Sequence, residues 1–165
     1  MQNISLLNYA DCNPRDSFEE VVELYYQSKG YITSSNKWFA SKKDLDVLAI
    51  NQHETLLISV KTKFREHKNI DELKEYFSFV ENELVHINEY KWLIDRNTRK
   101  IKHILAYIQS SENILNKLPK DVETVDIKDI FTDFKRQLDS IGPEGWKCEN
   151  TLVKMIYWIN RYCTK

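Results

Sequence analysis

Four polar side chains gather at one end of an otherwise apolar stretch. They are Asp44 and Asp46 in Asp44-Leu-Asp-Val-Leu-Ala-Ile50, and Ser59 and Lys61 in Thr55-Leu-Leu-Ile-Ser-Val-Lys61. Both runs are rich in Leu, Ile and Val, and the polar link Asn51-Gln-His-Glu54 has no helical pattern, so they read as two strands of a hairpin. A four-residue loop sets Ile50 opposite Thr55, Leu48 opposite Leu57, Asp46 opposite Ser59 and Asp44 opposite Lys61. Side chains alternate along a strand. One face is then Leu45, Val47, Ala49, Leu56, Ile58 and Val60. The other carries Leu48, Ile50 and Leu57 at the loop end and the four polar groups at the open end. Opposed side chains lie roughly 4.5–5.5 Å apart at Cβ. Buried charge is costly without partners. An acid, hydroxyl and ammonium cluster at the end of a buried hairpin is therefore either an internally paired salt bridge or a site.

The rest of the chain must hold that hairpin. At 165 residues it is long enough for one domain with a sizeable core. The 42% hydrophobic and 30% charged content is that of an ordinary globular protein. No apolar run approaches the roughly 20 residues that span a bilayer, and Met-Gln-Asn-Ile-Ser-Leu-Leu lacks the features of a secretory signal. Cys12, Cys148 and Cys163 are too scattered for a disulfide framework or zinc site, which predicts reduced thiols and a cytoplasmic location. Four histidines, His53, His67, His86 and His103, show no ligand spacing. A net charge of −1 announces no global field for nucleic acid. With three glycines the chain holds no Gly-rich phosphate loop or dinucleotide fingerprint.

A first helix is expected from near Pro14, with Phe18, Val21, Val22 and Tyr25 as its core stripe and Gly30 as its C′ residue. Tyr31–Ser35 suits a short strand, Asn36–Lys43 a polar loop, and Thr62–Lys68 a basic loop after the hairpin. A second helix begins at Asn69, with Leu73, Phe77, Val80, Leu84 and Ile87 on one side. Strands are expected over Ile101–Ile108 and Val122–Val125, a short helix over Ser111–Leu118, and a strongly amphipathic helix through Ile127, Ile130, Phe131, Phe134 and Leu138. A last, largely apolar helix over about Asn150–Cys163 would be buried or form a homodimer. This order predicts a mixed central sheet with helices on both faces, a three-layer α/β arrangement.

Several of these pieces resemble the PD-(D/E)xK nuclease superfamily, with its restriction-endonuclease-like fold. Archaeal Holliday-junction resolvases and Mrr-type endonucleases look most similar. The run Ser17-Phe-Glu-Glu-Val-Val-Glu-Leu-Tyr-Tyr-Gln-Ser-Lys-Gly-Tyr31 is similar to the family's first helix, in which a Glu stands eleven residues before a Gly, as Glu19 does before Gly30. Asp46-Val-Leu-Ala-Ile50 is similar to the strand that carries the family's Asp, and Ser59-Val-Lys61 to its E-x-K strand, with Ser59 where the family has Glu or Asp. The similarity covers roughly residues 15–138 of a single domain spanning 1–165, with the helix at 150–163 outside it.

The resemblance implies a DNA endonuclease that uses Mg²⁺ or Mn²⁺. Asp46 would be the central metal ligand, the Val60 carbonyl a second, and Glu19 a third, directly or through water. Lys61 would orient the attacking water and stabilise developing charge. Ser59 offers a weaker, neutral ligand. Asp44, two residues from Asp46, could partly substitute, and Glu20, Glu23, Glu54 and Glu66 are other acids that could move in. Phosphate contacts would come from Lys63, Arg65 and Lys68, and from a second basic stretch with Arg96, Arg99 and Lys100. Simpler readings accompany each residue. Glu19 fits an ordinary acid near a helix N-terminus, and Asp44 with Lys61 fits a cross-strand ion pair. Ser59 also admits a protein that kept the fold, lost the chemistry, and works as a nucleic-acid-binding or dimeric interaction module.

Overall fold

The computed structural model describes the backbone of residues 14–38 and 44–141, and the side chains of 18–35 and 45–136. The chain divides into two compact units, Met1–Ile127 and Lys128–Lys165. Within the first lie α1 (Pro14–Ser28), β1 (Ile32–Trp38), β2 (Asp44–Ile50), β3 (Glu54–Phe64), α2 (Lys68–His86), a 3-10 turn (Lys91–Ile94), β4 (Lys100–Ser110), α3 (Glu112–Leu115) and β5 (Val122–Asp126). The second unit is described only over 128–141, the body of helix α4 (Ile127–Ile141), in which Ile130 and Phe134 are buried. The expected helix at 150–163, and with it the dimer element, falls outside the described residues.

The five strands follow in sequence order, β1-β2-β3-β4-β5. β1, β2 and β3 form an antiparallel meander, and β3, β4 and β5 run parallel. Helix α2 supplies the crossover that a parallel β3–β4 connection requires. The hairpin register is the one a four-residue loop sets, with Ile50 opposite Thr55 and Leu48 opposite Leu57. β2 and β3 lie inside the sheet and are apolar on both faces, as strands covered on both sides must be.

The two longer helices of this unit take opposite faces. Thr33 and Ser35, whose partners across β2 are Ala49 and Val47, receive α1: the Gln27 amide donates to Thr33 Oγ1 at 2.7 Å and the Ser35 hydroxyl to Glu23 Oε2 at 2.8 Å. On the other face, Leu48, Leu57 and Leu105 are buried with Ile70, Leu73, Phe77, Val80 and Leu84 of α2. Phe77 also stacks on the His103 ring at 4.4 Å, and Glu81 meets His103 Nε2 at 2.7 Å. The result is the expected mixed α/β arrangement, a sheet between two helical layers. Gly30 ends α1 at φ +85°, with Tyr31 N–H donating to Tyr26 O and Gly30 N–H to Gln27 O, so a left-handed residue closes the helix.

Three details depart from the sequence reading. β1 runs on through Asn36-Lys-Trp38, expected as loop, because Lys37 and Trp38 pair with Leu45 and Asp44 of β2. β3 continues through Thr62-Lys-Phe64, which was expected to be loop, because Lys63 and Phe64 pair with Gln109 and Ser110 of β4. Leu45 is buried with α2 together with Leu48, although strict alternation puts the two on opposite faces. The regular β2–β3 ladder ends at Val47 and Ile58, so the strand is free to turn at Asp46.

Candidate active site

The end of that ladder is the origin of the site. Beyond Val47–Ile58, Val60 N–H takes no backbone partner on β2. It donates instead to Asp46 Oδ2 at 2.8 Å, and the Ser59 hydroxyl donates to the same oxygen at 3.1 Å. Lys61 Nζ stands 3.9 Å from it. In an extended strand a residue's N–H and C=O point to the same side, so the Val60 carbonyl also faces the gap beside Asp46. The Asp46 carboxylate is wholly buried, whereas the Lys61 side chain is 36% exposed. The acid is thus fixed by two neutral donors, and the ammonium reaches it from a solvent-facing cleft.

Burial singles out the same residues. Among the described residues the buried polar side chains are Glu19, Asp46, Thr55 and Ser59, and three of these four are site residues expected from the sequence. Thr55 is occupied at the far end of the hairpin, where its hydroxyl accepts from Arg99 Nε at 2.9 Å. Glu19 is buried on α1, the helix that crosses β1, β2 and β3 on the face away from α2. The structure therefore brings Asp46, Ser59, Val60 and Lys61 into one cluster, and Glu19 is buried on α1. Asp44 pairs with Trp38 in the β1–β2 register, and its side chain lies outside the described residues. Among the described residues no three His, Cys, Asp or Glu side chains form a metal-binding group.

Tyr76 of α2 was not anticipated. Its hydroxyl accepts from Asp46 N–H at 2.9 Å, and Lys61 Nζ lies 5.5 Å from its ring centroid. In the sequence it stands beside the apolar stripe of α2 and reads as core edge; only the tertiary fold sets it on Asp46. A cleft of about 130 Å³ opens beside it, lined by Lys61, Phe64, Asn69, Glu72, Leu73 and Tyr76.

The two basic stretches lie at opposite ends of the sheet. Lys63, Arg65 and Lys68 follow Lys61 at the site end, where Arg65 donates to Gln109 Oε1 at 2.9 Å and Lys68 pairs with Glu66 at 3.1 Å. Lys100 is level with Glu54, at the hairpin-loop end of β3. At about 3.3 Å per residue, that row is roughly 20 Å from Lys61. Arg96 there binds Glu81 at 2.9 Å. Arg99 donates to the carbonyls of Asn51 and Glu54 and to Thr55, and lies 5.3 Å from the Trp92 ring, which makes it a latch on the hairpin loop.

Of the other acids that could replace the missing carboxylate, Glu23 is held by Ser35, and Glu66 is exposed and paired with Lys68. Glu54 belongs to a separate network: it accepts from the Tyr31 hydroxyl and pairs with Lys102 at 3.2 Å, which also reaches Glu123 at 3.4 Å. Burial works to raise the Glu54 carboxyl, but the hydrogen bonds from Tyr31 and Lys102 outweigh it and hold the group below its ordinary value. Burial and the bond to Glu54 push the Tyr31 hydroxyl up to about 12.

No family model and no curated protein matches the chain. Among solved structures, the crystal structure of the protein of unknown function AF1548 aligns with a TM-score of 0.42 at 7% identity, covering 90% of this chain and 97% of that one.

Proposed function

We propose that the chain is a metal-dependent DNA endonuclease of the PD-(D/E)xK type, hydrolysing phosphodiester bonds with Mg²⁺ or Mn²⁺. The observation that carries this reading is the buried Asp46 carboxylate, set in a parted ladder by Val60 N–H and the Ser59 hydroxyl, with the Lys61 ammonium 3.9 Å away. The donor set suits a hard cation. Mg²⁺ is commonly held by one or two carboxylates and keeps several waters, and the gap offers the Asp46 carboxylate and the Val60 carbonyl, with Glu19 as a further acid from α1. When bound, the cation would neutralise phosphate charge and acidify a water. Asp46 supplies a fixed negative charge that does not need to reorganise. Lys61, about a third exposed, can donate to a phosphate oxygen and stabilise the charge that develops on it. Lys63, Arg65 and Lys68 at the same end of the sheet would hold flanking phosphates.

The test is cleavage of supercoiled plasmid and of a labelled four-way junction in Mg²⁺ and Mn²⁺, by wild type, Asp46→Ala and Ser59→Glu. The expected result is metal-dependent nicking that Asp46→Ala abolishes. A second reading, a nucleic-acid-binding protein without cleavage, is favoured by one observation: the residue facing Asp46 on β3 is a hydroxyl donor, not an acid. Cleavage by Ser59→Glu alone would establish that reading. Silence from all three proteins, with no DNA retained at low salt, would sink both.

A further inference from the structure

We propose that Trp92 is a stacking platform for an unpaired nucleobase, so that the DNA this chain binds carries a single-stranded segment; the proposal rests on the nucleic-acid-binding part of the reading above. The 3-10 turn that presents Trp92 is anchored on both sides of it. Tyr90 and Lys91 N–H both donate to Ile87 O, at 2.8 and 3.0 Å, and Leu93 is buried. Trp92 between them is 51% exposed, yet its ring is held. The indole Nε1 donates to Glu89 O at 2.9 Å, and Arg99 stands over one face, 5.3 Å from the ring centroid. Arg99 is itself fixed by the Thr55 hydroxyl and the carbonyls of Asn51 and Glu54, all neutral acceptors that leave its positive charge in place. With one face and the N–H edge occupied, the exposed surface of the indole is its other face.

A cavity of about 200 Å³ opens beside the ring. Leu48, Ile50, Tyr90, Trp92 and Leu93 form its apolar wall, and Ser34 and Glu89 are its polar groups. Sites for whole ligands span about 300–1,000 Å³, so this one suits a single planar ring system. A base has apolar faces and a polar edge with N–H donors, which match that lining, whereas a phosphate would meet the Glu89 carboxylate. Lys91 and Lys100, next in the chain to Trp92 and Arg99, are exposed and suit backbone phosphates. Aromatic rings amid such cations are how single strands are held without sequence preference, while in a duplex the base faces are already stacked on one another. Leu48 belongs to both the cavity and the core under α2, and Lys61 meets Tyr76 of α2, so platform and site share one side of the sheet. Ile50 is level with Thr55, six residues before Lys61 on β3 and therefore roughly 20 Å from it.

The experiment is fluorescence anisotropy of a labelled single-stranded 20-mer of thymidylate, and of a mixed-sequence duplex of the same length, titrated with the full chain in EDTA. Circular dichroism checks folding. Trp92→Leu, which keeps apolar bulk without a flat face, is expected to weaken single-strand binding about tenfold and duplex binding less than twofold. Trp92→Phe should retain most of the affinity. Unchanged single-strand affinity in Trp92→Leu, or equal losses for both DNA forms, would overturn the platform and leave DNA binding standing. No binding of either form by the wild type would overturn both.

Discussion

Replacing Ser59 by Glu should make folding depend on the metal. The Ser59 hydroxyl lies 3.1 Å from Asp46 Oδ2, and both residues are wholly buried. A Glu at this position sets a second carboxylate roughly 4 Å from the first. At an effective dielectric constant of about 20, two like charges at that distance repel by about 4 kcal/mol. Lys61 is 36% exposed and stands 3.9 Å from Asp46, so it offsets only part of this. In a chain of this size 1 kcal/mol moves the melting temperature by about 2–4 °C, so Ser59→Glu in EDTA should melt roughly 10 °C below wild type. A cation held between the two acids reverses the effect. At one hundred times its dissociation constant it returns about 2.7 kcal/mol. Ser59→Gln has the same bulk without the charge and isolates the steric cost, while Ser59→Ala should lose about 1 kcal/mol with its hydrogen bond. The assay is thermal unfolding of the three variants across a Mg²⁺ titration. Equal Mg²⁺ responses from Ser59→Glu and Ser59→Gln would refute the reasoning, because no cation would then be using the pair of acids.

Other outcomes follow from the same geometry. Tyr76→Phe removes the acceptor of Asp46 N–H and should cost about 1–3 kcal/mol in denaturant unfolding. Arg99→Ala frees the hairpin loop and should destabilise by about 2 kcal/mol, without changing the salt dependence of DNA binding; Lys63→Ala should lower that salt slope by about one unit. The Glu54 carboxyl is depressed in the folded state, so its contribution is present above its unfolded value near 4.5 and is lost as pH falls through the folded value. Glu54→Gln should therefore flatten the acid limb of a stability–pH profile. Tyr31, raised to about 12, acts in the opposite sense: its contribution is full below pH 10 and fades as pH rises toward 12, a loss that Tyr31→Phe should abolish.

The hairpin was legible because two apolar runs flank a four-residue polar link, and the length of that loop sets the register. Asp46, Ser59 and Lys61 were legible as the polar groups that this register gathers at the open end of an otherwise apolar hairpin. What the pattern could not show was set by partners far along the chain. Phe64 is strand because Ser110 pairs with it. Arg99 serves the hairpin loop from 44 or more positions away, so its charge reads in sequence as part of a basic surface. Tyr76 sits on an ordinary amphipathic helix, and nothing in a 3.6-residue period separates a tyrosine that edges the core from one that docks beside an acid. Leu45 escaped its expected face because alternation assumes a continuous ladder, and the ladder ends where Asp46 replaces a backbone partner.

The strict sequence order of the sheet bears on how the molecule assembles. Every strand pairs with the strand before it, so no pairing waits for a distant segment to thread between two others. The β1–β2–β3 meander closes through local contacts, which form quickly, whereas β4 joins only after the α2 crossover. Asp46 and Val60 therefore meet early, before Tyr76 and the parallel strands are in place. In pulsed hydrogen exchange during refolding, the Val60 amide should gain protection with the meander and the Asp46 amide later, with α2.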